Sequence, residues 1–569
     1  MKKFFKIIFE QIIKFDLYTK EYKKKSAVVE LPSIAYVNWG IQYANINELD
    51  KAIEKFETSI LMAQQTPAAY LNLGIVHAKK QNYLEAINNF RKAAKLDTNN
   101  ARAYALWGTA LIELGEFKEA DSLFKKAQAI SPNNPECLLN YGIALARQDK
   151  RKKASELFKQ ALLNDSSNFQ AAFLLGVVQF EMDNFDEAIQ ALNYATDLNP
   201  LHPEPAYYLG LCHYKKGDHN NSLKYGQLSK KLAPGRWETQ LLIAESLSML
   251  NRKQEALSEY EDLDNQGITN AQVFASWGLT LLGSEKHELA REKFLMSLQF
   301  NPHNNMVLTQ LGITFAKDGN IQEALKIFNK VLEKDPEHSD ALTNMGIALY
   351  KNCQYSESIR FFVKAIRTSR KLTHLNFNIA NCYYHLNDLK KSAEYYSKTI
   401  EYHPYHIEAL VNYAKTLLEL GNHKEALRKI RTAHKLNTTS ASINFVYASI
   451  LLKMNQYRDA IEKLDTIIEK DEDFINAKFA KAEALFALKK PQEAIGLLQS
   501  LPEEFHETKD FLHLNAINYA CLAQLSPSNY NIETTMYYCK KLKENYPEND
   551  SLSEVQEYIQ ETLKTNERL

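Results

Sequence analysis

Glycine and proline are scarce in this chain, 18 and 15 among 569 residues, each about half of average usage or less. A polypeptide so poor in turn-formers has few long loops, which argues against an all-β protein and against a long disordered linker. No apolar run reaches the roughly 18 residues that a membrane-crossing helix needs. Cysteine is rare as well: Cys137, Cys212, Cys353, Cys382, Cys521 and Cys539 lie far apart with no CxxC pair. That pattern fits reduced thiols in a cytosol better than a disulfide framework or a zinc site. An excess of one charge is also missing, since Lys and Arg number 69 and so do Asp and Glu; the chain as a whole carries no electrostatic footprint for nucleic acid. Length divided by a typical domain size of about 150 residues gives a prior of roughly 3–4 globular domains.

What is present is a repeat. Stepping by 34 from Gly40 gives Gly74, Gly108, Gly142, Gly176, Gly210, Ala244, Gly278, Gly312, Gly346, Ala380, Ala414, Ala448 and Ala482, all Gly or Ala. Twelve residues after each stands Ala or Ser, from Ala52 to Ala494, with Ser222, Ser358 and Ser392 as the serines. The phase holds without insertion from Ser33 to Thr508. If each unit is two antiparallel helices, A and B, these columns are the crossing where small side chains let the backbones approach. Phe56, Phe90, Phe124, Phe158, Phe294, Phe328 and Phe362, four residues beyond the second column, then fill the core. Pro132, Pro200, Pro234, Pro302, Pro336 and Pro404 end B helices, because proline cannot continue them.

A period of 34 with W/L-G-x-x-Y/L, A-x-x-x-F and then P, carried by AYLNLGIVHAKKQNYLEAINNFRKAAKLDTNN and ALTNMGIALY, resembles the tetratricopeptide repeat (TPR) family. The resemblance implies an all-α solenoid of fourteen repeats over residues 33–508. Residues 509–569 read as a degenerate fifteenth repeat and an acidic cap, with helices expected over Phe511–Leu525, Thr534–Tyr546 and Leu552–Lys564. Residues 1–32 read as a basic amphipathic helix and a linker. Its apolar face, Phe4, Phe5, Ile8, Phe9, Ile12 and Ile13, is ringed by Lys2, Lys3, Lys6 and Lys14. It either caps repeat 1 or lies in an anionic membrane surface.

Catalysis finds little to use. No P-loop, G-x-G-x-x-G, H-E-x-x-H or G-x-S-x-G motif occurs, so the reading is a chain without cofactor or catalysis. His403 and His406 are three apart around a proline with no convincing third ligand; His77 and His213 read as packed helix histidines. Binding has more to draw on. In TPR proteins the inner faces of A helices line a concave groove, and the resemblance places on or near it the columns two before, three before, one after and four after the Gly/Ala position. Two before stand Asn38, Asn72, Asn140, Asn344, Asn378 and Asn412, carboxamides able to hold the backbone of an extended peptide, similar to the asparagine ladder of O-GlcNAc transferase TPRs. An equally open alternative is that they bond to the neighbouring repeat.

One after, the column is mostly apolar from Ile41 to Ile347 and then polar, Asn381, Lys415, Ser449 and Glu483. Four after, Phe180, Tyr214, Tyr350, Tyr384 and Phe486 add aromatic surface. The apolar stripe is either a partner groove or buried by neighbouring A helices. TPRs that clamp a C-terminal carboxylate carry basic residues where this chain has Val37, Leu71, Ala105, Leu139, Phe173 and Tyr207; Lys415 alone does not make such a clamp. Gly226 stands where every other repeat has an aromatic or aliphatic residue. Either Trp237 or Tyr225 fills the gap, or residues 220–268 form a soft joint. The expected function is a non-catalytic cytoplasmic scaffold binding an extended or helical segment of partner proteins in the groove. A peripheral membrane adaptor and a peptide-sensing regulatory subunit are the rivals.

Overall fold

The computed structural model describes residues 31–526 and 528–546. Among them are thirty α-helices and two short 3₁₀ segments. The N-terminal amphipathic segment and the helix expected over Leu552–Lys564 lie outside the described residues. The contacts divide the chain into two compact units, Met1–Lys286 and His287–Leu569. That boundary falls between the A helix (Ala271–Gly283) and the B helix (His287–Phe300) of repeat 8.

Within each unit, helices alternate as the 34-residue period predicts. Repeat 4 serves as an example, with helix A over Pro135–Arg147 and helix B over Arg151–Asn164. Asn134 caps helix A by accepting from Cys137 N–H at 3.0 Å; Asn100 and Asn168 cap their A helices in the same way. Inside a unit, a B helix packs on its own A helix and on the next, and A helices of successive repeats touch in places, as those of repeats 3 and 4 do.

The small column works through aromatic rings. A Cβ added at Gly142 would lie 2.5 Å from Phe158 Cε1, and one at Gly312 would lie 2.5 Å from Phe328 Cε1. Both rings are fully buried, so glycine is what lets the ring lie flat on the A-helix backbone. At two of the three serines of the second column the hydroxyl is satisfied by the same approach: Ser358 Oγ donates to Gly346 O at 2.7 Å, and Ser392 Oγ to Ala380 O at 3.0 Å, while Ser222 Oγ pairs with Ser246 Oγ at 2.8 Å.

Repeat 6 lacks its ring because of Gly226. Leu242, from helix A of repeat 7 (Trp237–Met249), takes the place over Gly210, with Cδ2 2.8 Å from where a Cβ would stand. Ile243 covers Gly226 itself. The filler is therefore Leu242 with Ile243, and neither Trp237 nor Tyr225; Tyr225 stacks instead on His213, with centroids 5.4 Å apart. A hollow of about 470 Å³ remains beside them, lined by Gln227, Lys230, Ile243, Leu247, Glu255 and Glu259 among others.

One column was not evident in the residue types. Every A–B turn passes through a left-handed residue: Asn47, Gln81, Gly115, Asp149, Asp183, Gly217, Asn251, Glu285, Gly319, Cys353, Asn387, Gly421, Asn455 and Lys489 all have positive φ. The following residue donates back five positions, as Asn82 N–H does to His77 O at 2.9 Å and Lys490 N–H to Leu485 O at 2.9 Å. This is a Schellman closure of each A helix. It is made by backbone alone, which is why ten of the fourteen positions tolerate a side chain.

Helix Lys509–Leu525 fills the place of a fifteenth A helix, and its partner spans Asn529–Asn545. The expected start at Thr534 is corrected: Ser528 caps the helix by accepting from Asn531 N–H at 3.2 Å, so Asn529–Glu533 are helical.

Candidate functional site

The residues singled out in the groove columns fall into different environments. In the first unit, Asn38 is exposed and Asn140 half-buried, while Asn72 is fully buried. A buried carboxamide is not available to a peptide, so the ladder is interrupted at repeat 2. Phe180 is likewise a core residue, 7 % exposed. Its ring meets Phe185 at 5.9 Å and Tyr208 at 5.8 Å. The cause is Tyr208, which occupies the asparagine column of repeat 6 and reaches back over the neighbouring A helix. Tyr214 stays half-buried against His219 at 5.3 Å, and burial pushes its phenol up to about 12.

The apolar column one after the Gly/Ala position is also settled by packing. Ile41, Ile75, Thr109, Ile143 and Val177 are buried, so repeats 1–5 present no apolar stripe there. Leu279 and Ile347 are exposed. In repeat 7 the same column carries Glu245, which accepts from Ser276 Oγ at 2.6 Å; burial raises its carboxyl above the usual range.

The second unit brings several candidates together. Helix A of repeat 10 (Ser339–Lys351), both helices of repeat 11 (Leu375–His385 and Leu389–Tyr402) and helix A of repeat 12 (Ile407–Glu419) enclose a cavity of about 210 Å³. Its lining is Tyr350, Asn381, Tyr384, His385, Tyr396, Asn412 and Lys415. Tyr396 Oη donates to Asn381 Oδ1 at 2.5 Å, and Asn412 Nδ2 reaches the same oxygen at 3.4 Å. Tyr384 Oη donates to Glu419 Oε1 at 2.5 Å, and that hydrogen bond pushes the phenol up to about 12. Tyr350 Oη and His385 Nε2 are 3.0 Å apart, with the imidazole stacked on Tyr355 at 4.8 Å. Tyr396 is buried, which raises its phenol strongly.

Of the ladder in this unit, Asn412 joins the cavity, Asn344 donates to Asp340 O in its own helix at 2.8 Å, and Asn378 is half-buried outside the lining. Tyr350, Tyr384 and Asn412 stand in groove columns of the sequence, and Asn381 and Lys415 are polar changes in theirs. His385 and Tyr396 stand in none of these columns. Tyr396 sits in the core-ring column, and its only signal is a hydroxyl, shared with Tyr260, where half of the repeats have phenylalanine.

Of the histidine pair around Pro404, His403 is exposed and His406 is structural. His406 caps helix A of repeat 12 by accepting from Ala409 N–H at 3.2 Å and packs on Phe377 at 4.8 Å. Among the described residues no group of three or more His, Cys, Asp or Glu side chains is placed to hold a metal. No described helix is long and apolar enough to cross a membrane.

A row of two-helix units with ring-over-glycine crossings and a shared phase defines a helical repeat protein. Family models agree. The Cytochrome c-type biogenesis protein H TPR domain matches residues 95–204, and tetratricopeptide repeat models match residues 67–100, 178–236, 315–371, 376–404 and 451–516. Together these segments span more than half of the chain, which belongs to the tetratricopeptide repeat family. No curated protein matches it. Among solved structures it is similar to PilF of Pseudomonas aeruginosa (20% identity, 38% of this chain and 98% of that one, TM-score 0.35). It is also similar to the Cut9–Hcn1 hetero-tetramer of the APC/C (15%, 80% and 96%, 0.36). A third is YrrB, described as a TPR protein with an unusual peptide-binding site (21%, 32% and 95%, 0.28).

Proposed function

We propose that this protein is a non-catalytic scaffold that binds an extended segment of a partner protein along the A helices of repeats 10–12. The observation that carries the reading is the cavity lined by Asn381, Asn412, Tyr350, Tyr384 and Lys415. Polar side chains converge there from three successive A helices, on the face where repeats 1–5 bury the equivalent column. Carboxamides offer both N–H and C=O to a peptide backbone, and the tyrosines add flat apolar area with little rotamer entropy to lose.

The test is site-specific photocrosslinking in the native cell. A photoreactive phenylalanine analogue at His385, exposed on the cavity lining, is expected to capture partner protein, whereas the same group at Leu163, 85% exposed on an outer B helix, is not. Capture from Leu163 with none from His385 would overturn the reading.

A further inference from the structure

The hydrogen-bond capacity left over in this cavity identifies the chemistry it takes. Asn381 Oδ1 is already used twice, by Tyr396 Oη and by Asn412 Nδ2, so what Asn381 has left to offer is its Nδ2 donor pair. Glu419 is the acid nearest along the chain to Lys415, one helical turn on, and the natural i,i+4 partner for it. It is occupied by Tyr384 Oη at 2.5 Å instead. Lys415 is half-buried and makes no ion pair or hydrogen bond with any described residue. The lining therefore presents an uncompensated ammonium beside amide donors and no carboxylate of its own. A half-buried cation without a counter-charge is an unfavourable arrangement that an incoming anion relieves.

We propose that this cavity receives one acidic side chain, aspartate or glutamate, of the bound segment, with a carboxylate oxygen on Lys415 Nζ and the other on Asn381 Nδ2. This inference rests on the scaffold reading above and names the chemistry of its ligand. Volume and charge select a carboxylate. About 210 Å³ holds a side chain and excludes a nucleotide. One ammonium neutralises one negative charge, whereas a phosphate ester close to −2 would be left half-compensated. The carboxylate comes from within the segment, because the basic residues that grip a chain terminus in clamping TPRs are not assembled around Lys415. Tyr384 has a positioning role here: by holding Glu419 it keeps Lys415 free.

The experiment is selection of a random peptide library with amidated C-termini on the full-length protein, followed by anisotropy titration of the best binder. Enrichment of Asp or Glu at one position is expected. Lys415→Met should weaken that peptide roughly tenfold or more, and Asp→Asn in the peptide should cost as much against wild type but little against Lys415→Met. Lys415→Arg should recover part of the loss, and helical content by circular dichroism verifies that each variant is folded. Tyr384→Phe should weaken binding several-fold although it keeps the ring, since Glu419 is released to pair with Lys415. Peptides that bind with no acidic preference and are indifferent to Lys415→Met would overturn the inference and leave the scaffold reading standing. A preference for phosphoserine or for a free C-terminal carboxylate over an internal Asp or Glu would also overturn it. If no peptide binds and the photoreactive group at His385 captures no partner, the scaffold reading itself fails.

Discussion

Gly319 closes helix A of repeat 9 (Asn305–Lys317) with φ of 81°, and a Cβ placed on it would meet nothing within 4 Å. Gly319→Ala therefore changes backbone conformation and nothing else. An L-residue in the left-handed region costs about 1–2 kcal/mol, offset by about 0.4–1 kcal/mol because alanine leaves the unfolded chain less entropy to lose. The net is a loss of about 0.5–1 kcal/mol, or roughly a two- to fivefold rise in local opening. Gln81 (φ 63°) and Lys489 (φ 60°) occupy the same place with side chains, so Gln81→Gly and Lys489→Gly should each gain a similar amount. Repeat arrays do not unfold in one step, so a global melt is the wrong assay. Hydrogen exchange of the closing amides, Asn320, Asn82 and Lys490, reads each turn separately. Equal exchange at Asn320 in wild type and Gly319→Ala, or faster exchange at Asn82 in Gln81→Gly, would refute the account of the turn.

Other expectations follow from the same packing. Gly142→Ala puts a methyl 2.5 Å from Phe158 Cε1 and should cost about 1–3 kcal/mol by overpacking, read as increased exchange in repeat 4; adding Phe158→Ile, the Ala414 and Ile430 pairing of repeat 12, should recover part of it. Ser358→Ala removes a buried hydrogen bond to Gly346 O at a position where most repeats already carry alanine, and hydrogen exchange in repeat 10 should show a loss of about 0.5–1.5 kcal/mol. Glu245 has a carboxyl raised mainly by burial, so its folded state favours the protonated form. Its contribution is present below the unfolded carboxylate pKa and is lost as pH rises through the folded one. Glu245→Gln should accordingly raise the melting temperature of the first transition at pH 7 and leave it unchanged at pH 4.

The solenoid was legible in the sequence because its two defining contacts involve residue types that the period repeats: a glycine under a ring, and a small residue at the helix crossing. The A–B turn was not legible. Its left-handed residue is Asn, Asp, Gln, Glu, Cys or Lys in ten repeats, so the conformation recurs without a residue to mark it. The candidate site was legible in part for a related reason. Tyr350, Tyr384 and Asn412 stood out by column, but whether a column is open depends on what the next repeat contributes. Tyr208 buries Phe180 and no equivalent ring closes over Tyr384, a difference carried by neighbours one repeat away. Ile75 and Asn381 occupy the same column, yet one is sealed and the other lines a cavity.

The closing turns also bear on how such a chain can be marked and measured. Because main-chain atoms alone complete each one, the side chain at residue 353 is exposed while its backbone is as tightly held as that of a glycine. The same slot recurs every 34 residues, so a single accessible thiol moved from slot to slot, with Cys353 and the half-buried Cys539 replaced, would present probes in one orientation on each repeat. Pairs of such probes would form a molecular ruler whose graduations are the repeats themselves, and partner-induced changes in spacing would be read directly, repeat by repeat.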